Sequence, residues 1–436
     1  MTTSAPIRIA HFSDLHYGSS TLAEADRCLG HAIDRAMALS VHVAVFSGDA
    51  TDHALELHTP AAARLVAQVR RLAEHCPVLM LQGTYSHEPP GTLALFRALG
   101  GRCPVHVAER IQQVALTRGG RWTASPGWRF EALPADALAL FACVPSVNKA
   151  TVAATVGAAD AAQATGEQLA QLLAGFAPSH SQARARGLPT VGVSHGTVFG
   201  CLSEHGVPMA GFDHEFTTGA LFAAQAQAFL LGHIHRHQSW AQHGEAGTQV
   251  IAYAGSIGRF HYGEDGSKGF LVWEVDAQGA CCVLEPTPAR RTVDIVFAGR
   301  PDLDALRAAV AREGVSGASV RVRWTVAEED RAAVDRAAML RVLEGAAQTQ
   351  LEGRIVPLVR TRAEGIARLP LLEDRLRVWA EVTGVNPAPL LAGLAALAED
   401  GPEAIAERVL RGSDISPSAE IEDRPADHAA AEALAA

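Results

Sequence analysis

Residues 7–18 read IRIAHFSDLHYG. A short apolar run gives way to a polar loop, the pattern of a strand followed by a turn. The loop carries Asp14 and His16, two residues apart. In an extended segment residues i and i+2 point the same way, so this pair can aim two ligands at one point.

The same device recurs. Residues 41–46 (VHVAVF) precede SGDATDH, which holds Asp49. Residues 77–81 (PVLML) precede QGTYSHEPP, with His87. Residues 190–193 (TVGV) lead into SHGTVFG, with His195, and residues 228–231 (AFLL) lead into GHIHRHQ, with His233 and His235. Residues 21–39 and 60–75 repeat apolar positions at helical spacing between the first three strands. Strand, helix, strand, helix, strand predicts a mostly parallel α/β sheet whose ligands collect beyond the carboxyl ends of the strands. Further strands are predicted at 105–107, 111–116, 138–144, 250–253 and 270–275, with an Ala-rich helical stretch at 151–177.

Composition bounds the answer. A chain of 436 residues exceeds most single cores and implies two or three domains. With 48% apolar and 19% charged residues it reads as a packed soluble protein. No apolar run is long enough for a membrane span, and the N-terminus has no signal-peptide core. The seven cysteines form no CxxC pair and fit reduced thiols, so a cytoplasmic location is expected. The net charge of −10 argues against a broad electrostatic grip on nucleic acid, although a local basic groove is compatible with it. The expected domains are a catalytic domain at 1–285, an α+β domain at 286–360, a helical segment at 361–411 and a disordered acidic tail at 412–436. After residue 327 the chain reads as mostly helical.

Five strand ends all delivering metal-type side chains is more than scattered polar loops explain. Mixed imidazole and carboxylate donors suit Mn²⁺, Fe or Zn²⁺ better than Ca²⁺ or Mg²⁺. Other histidines, such as His11, His42, His53, His58 and His237, read as ordinary polar residues, and Asp52 as a turn former or a support for a ligand.

The order D-x-H, GD-x-x-D, G…H, a lone H after a strand and GHIH resembles the calcineurin-like metallophosphoesterases over about residues 7–275. The run YAGSIGRFHYGEDGSKGFLVWEV is similar to the end of the catalytic domain in DNA double-strand-break repair nucleases of the SbcD type. The resemblance implies a four-layer sandwich of two mixed sheets flanked by helices, with a small capping domain. It implies two divalent ions, Mn²⁺ foremost, with Fe, Zn²⁺ or Mg²⁺ as alternatives. Asp14, His16 and His235 would hold one ion, His195 and His233 the other, and Asp49 would bridge them. His87 would be the catalytic imidazole, and Arg259 a phosphate contact. DNA is the implied substrate, with an SMC-like ATPase partner and a homodimer as further expectations. Two ions about 3.5–4 Å apart can clamp the attacking and leaving oxygens of a phosphodiester and activate a water.

One loop departs from the family. Its usual GNHD is written GTYSHE, residues 83–88, with two residues inserted and no Asn. Ser86 stands where the Asn ligand would be, with Thr84 or water as alternatives. Glu88 replaces the Asp and is expected to orient His87. The loop also resembles a variant subgroup that writes GT-x-SH. Two other readings stay open: a phosphodiesterase or phosphatase on small substrates, and a non-enzymatic binding module on a degenerate version of the fold. No Walker-type GxxxxGK[ST] occurs, so ATP chemistry would have to come in trans.

Overall fold

The computed structural model describes residues 6–54, 56, 58–99, 101–146, 161–209, 215–244, 247–264, 266–357, 365–399 and 401–410. The acidic tail and the part of the Ala-rich stretch before residue 161 lie outside the described residues.

Two mixed sheets form the framework. The first, six-stranded, runs in the order Ala280–Pro286, Gly269–Val275, Ile7–Phe12, Val43–Phe46, Val78–Leu81, Val105–Ala108. Its last four strands are parallel neighbours and its first two are antiparallel additions. The second, seven-stranded, runs Gln238–Gly244, Gly247–Tyr253, Ala228–Gly232, Thr190–His195, Ala137–Val144, Gln112–Thr117, Trp122–Ala124. Its central four strands are parallel and both edges are antiparallel.

Alternation along each strand builds the layers. Ile7, Ile9, Val43, Val45, Leu79 and Leu81 meet Phe141, Val191, Val193 and Leu230 in a core between the sheets. The intervening Ala10, Phe12, Ala44, Phe46, Val78 and Met80 turn to the other side. There they pack on the apolar stripes of helices Leu22–Ala38 and Pro60–His75. On the far side of the second sheet, Val144, Phe229, Leu231 and Ile251 pack on Leu169 and Leu173 of helix Ala161–Ala174 and on Leu221 of helix Thr218–Ala223. The result is helices, sheet, sheet, helices. It brings the loops after Phe12, Phe46, Leu81, His195 and Gly232 to the carboxyl ends of parallel strands.

A third, three-stranded sheet has Ser319–Ala327 between Thr292–Phe297 and Gln348–Val356. Leu306 and Met339, from helices Leu303–Glu313 and Arg336–Val342, close its core around Trp324. The strand Gln348–Val356 corrects the expectation of helix beyond residue 327. It lies at a sheet edge and is largely exposed, so no alternating pattern marks it in the sequence. The chain divides into two compact units, Met1–Val326 with Asp330–Ile355, and Ala327–Glu329 with Val356–Ala436. In the second, helices Leu372–Thr383, Pro387–Glu399 and Pro402–Leu410 follow one another, the first ended by Gly384 in the left-handed conformation (φ 72°). No described helix is long and apolar enough to cross a membrane.

Candidate metal centre

Two triads of ligand atoms assemble at the strand ends. Asp14, His16 and His235 form one, and Asp49, His195 and His233 the other, each with its ligand atoms within 4.8 Å of one another. They are neighbours: the His233 backbone N–H donates to both oxygens of Asp14 at 3.1 Å. Six of the seven residues singled out as ligands in the sequence are brought together; Ser86 is the exception.

The local backbone is bent to achieve this. Among the described residues six non-glycines have positive φ, and four of them are Asp14, His16, Asp49 and His233. Such conformations cost on the order of 1–3 kcal/mol each and persist only when the surroundings enforce them. The enforcement is visible in backbone bonds that lace the first two loops together. Asp14 N–H donates to Gly48 O at 3.2 Å, Leu15 N–H to Asp49 O at 2.9 Å and Tyr17 N–H to Ala50 O at 3.0 Å. At Gly48, with φ 101°, a Cβ would overlap the His195 ring and Gly83 Cα, so only glycine lets the second loop approach the third and fourth.

Hydrogen bonds choose the faces of the rings. His195 Nδ1 lies 2.7 Å from the Ser47 carbonyl, which can only accept, so the proton is on Nδ1 and Nε2 faces Asp49 Oδ2 at 3.1 Å. His16 turns Nδ1 toward Asp52 Oδ1 at 3.6 Å and Nε2 toward His235 Nε2 at 2.9 Å. Asp52 is thus a carboxylate behind a ligand imidazole. Burial alone would lower the His195 pKa, but the charge of Asp49 and its hydrogen bond lift it to about 9. Burial would raise Asp49, yet His195 holds it below the usual carboxylate range. Asp14 is raised by burial. His235 is pushed well down, by burial and then by His16.

The third loop differs from expectation in two ways. Ser86, read as a replacement for the Asn ligand, is exposed on a turn. Thr84 is the residue that reaches the centre: its Oγ1 is 3.1 Å from Asp49 Oδ2 and 3.2 Å from His195 Nε2. The insertion displaces the loop outward after Thr84, which is why counting back from His87 picks the wrong hydroxyl. Glu88 does not orient His87. It is fully buried and accepts from Ala50 N–H at 2.6 Å and Gly83 N–H at 2.5 Å, pinning the second and third loops together. Burial and the nearby Asp49 charge push its pKa up to about 7. His87 is anchored instead through Nδ1 to the Asp52 carbonyl, and its ring stands edge-on to His16, 4.7 Å between centroids.

Arg259, read as a phosphate contact, has its guanidinium committed to main-chain carbonyls, Arg290 O at 3.0 Å and Gly266 O at 2.7 Å. The sequence reading missed a support behind His235. Lys268 and Glu264 form a 2.5 Å ion pair with both side chains fully buried. Lys268 Nζ also donates to the His235 carbonyl at 2.8 Å and to Ser256 Oγ at 2.9 Å. The signal was present in GEDGSKG as a Glu and a Lys four residues apart, but in a loop that spacing does not by itself announce a pair.

The residues fit two divalent ions. Each triad offers one carboxylate and two imidazoles. Asp14 and Asp49 are buried acids, and His235 Nδ1 is buried with no hydrogen-bond partner among the described residues. No family model matches the chain, and no curated protein matches it. Among solved structures, a dimetal phosphatase from Danio rerio aligns with 64% of this chain and 99% of its own, at 11% identity and a TM-score of 0.38. The residue assignments above rest on the site itself.

Proposed function

We propose that the protein is a dinuclear metal-dependent phosphoesterase that cleaves phosphodiester bonds in DNA. The observation that carries the reading is the pair of adjacent Asp–His–His triads with His87 beside them. Asp14, His16 and His235 would hold one ion, and Asp49, His195 and His233 the other. Bound there, the ions would neutralise phosphate charge and lower the pKa of a water.

The chain's own part is positional and protonic. Ser47 and Asp52 set the faces that His195 and His16 present. The His87 Nδ1–H is committed to the Asp52 carbonyl, so proton transfer at this ring runs through Nε2. That suits an imidazole that protonates a leaving oxygen. DNA is favoured as substrate by the likeness of residues 253–275 to the end of the repair-nuclease catalytic domain, and the same likeness favours an SMC-like ATPase as partner.

The test compares the wild type, Asp49→Ala and His87→Ala with Mn²⁺ on linear duplex DNA, single-stranded DNA and para-nitrophenyl phosphate. DNA should be the better substrate. His87→Ala should keep its metal and lose about 10²–10⁴-fold in rate, whereas Asp49→Ala should lose both. Preference for the phosphomonoester would move the protein to small-substrate phosphatases. An unimpaired His87→Ala would remove that ring from the chemistry.

A further inference from the structure

We infer that Thr84 supplies a hydroxyl ligand to the second ion, the one held by Asp49, His195 and His233. This rests on the dinuclear reading above and goes beyond it, because no carboxylate, imidazole or amide occupies that position.

Three observations converge. The Thr84 hydroxyl stands 3.1 Å from Asp49 Oδ2 and 3.2 Å from His195 Nε2, the two atoms the second triad turns toward its centre. Its placement does not depend on the hydroxyl: the Thr84 backbone N–H donates to Asp49 Oδ1 at 2.7 Å and fixes the start of the loop. The third observation is a repeated local design. Gly48, Gly83 and Gly232 each lie where an added Cβ would overlap atoms of the centre, and each is followed at once by a residue that faces it. At Gly83 the overlap would be with Asp49 Oδ1 and Asp49 N, at Gly232 with His195 Nδ1 and with Ser47 O and Ser13 Oγ, which bond to His195 and Asp14. The residues that follow are Asp49, Thr84 and His233. Two of the three are members of the second triad, and Thr84 occupies the same station in the third loop.

The chemistry is adequate but weak. A threonine hydroxyl is a neutral oxygen donor of the kind that binds Mg²⁺ in phosphate-binding loops. Without an ion it can donate its proton to Asp49; with one, its lone pairs are available. A neutral hydroxyl contributes less than a charged donor, so the second ion should bind more loosely than the first.

The experiment uses the full-length chain, stripped with EDTA and titrated with Mn²⁺ alone, read by calorimetry and by electron paramagnetic resonance. Wild type should take up two ions and develop the spectrum of an exchange-coupled pair. Thr84→Val keeps the shape and the backbone N–H and removes only the hydroxyl. It should bind the first ion as wild type does and weaken the second by about ten- to one-hundred-fold, leaving the six-line spectrum of an isolated ion at one equivalent. Thr84→Ser should restore the pair. The unaltered first ion reports that the variant is folded. Thr84→Val that binds both ions as wild type does overturns the assignment. So does equal weakening of both ions, which would mean that Thr84 supports the centre as a whole and is not a ligand of one ion. A wild type that binds fewer than two ions overturns the dinuclear reading itself, and this assignment with it.

Discussion

At the scale of single residues, the centre couples protons to folding. In the metal-free protein His195 is lifted from 6.5 to about 9, with burial opposing and Asp49 prevailing. A histidine raised on folding contributes stability in full below its unfolded pKa and loses it as pH rises through the folded one. Glu88, raised from 4.5 to about 7 by burial and by Asp49, binds its proton more tightly when folded and pushes the same way at lower pH. The melting temperature of EDTA-treated protein should therefore fall over the upper range, as pH rises from about 6.5 to 9; at lower pH Glu88 is opposed by His11, His106, His180 and His235, which burial holds below the usual histidine range. His195→Gln should flatten the upper part. Mn²⁺ should flatten it too, because ligand histidines must shed that proton to bind. Calorimetry across pH checks this, and a slope unchanged by either treatment would count against the His195–Asp49 pairing. The ligands themselves were legible because each follows an apolar strand; the extended-chain reading of D-x-H and H-x-H was not the reason, since Asp14, His16 and His233 have positive φ and His233 and His235 join different triads. Thr84 could be named only as an alternative to Ser86, and the part played by Glu88 was not legible. Their roles depend on where a lengthened loop bends and on backbone N–H groups from other loops, which linear spacing does not encode.

At the scale of elements, the loop between Tyr253 and Gly269 acts as a prop. Its buried Glu264–Lys268 pair carries the His235 carbonyl. Breaking a fully buried pair from one side strands a charge, at a cost of about 3–5 kcal/mol. Lys268→Met should lower the unfolding free energy in urea by that order and weaken uptake of the ion held by His235. Glu264→Gln combined with Lys268→Met should recover most of the stability. A Lys268→Met protein as stable as wild type would show that the pair is not isolated from water. Among elements, the parallel strands and their helices were readable from apolar period. The strands Gln238–Gly244 and Gln348–Val356 escaped because they lie at sheet edges with few buried residues. In such strands the hydrophobic alternation that marks a half-buried strand is missing.

At the scale of the whole molecule, every ligand belongs to the first compact unit. A chain ending at residue 357 should bind Mn²⁺ with the stoichiometry of the full chain, measured by titration and metal analysis. Loss of an ion would assign the helical unit a share in the centre. The pairing of two sheets face to face was expected from likeness to a family rather than from periodicity. A continuous apolar run shows that a strand is buried on both faces, but not which strand of a second sheet lies opposite.

The left-handed backbone at Asp14, His16, Asp49 and His233 separates what is best for heat resistance from what is best for ion capture. Glycine at any of these positions would sit there with little strain. A population selected only for thermal endurance would drift toward glycine at them and forfeit the ions. Aspartate and histidine held in that conformation give up backbone ease in return for ion-binding side chains.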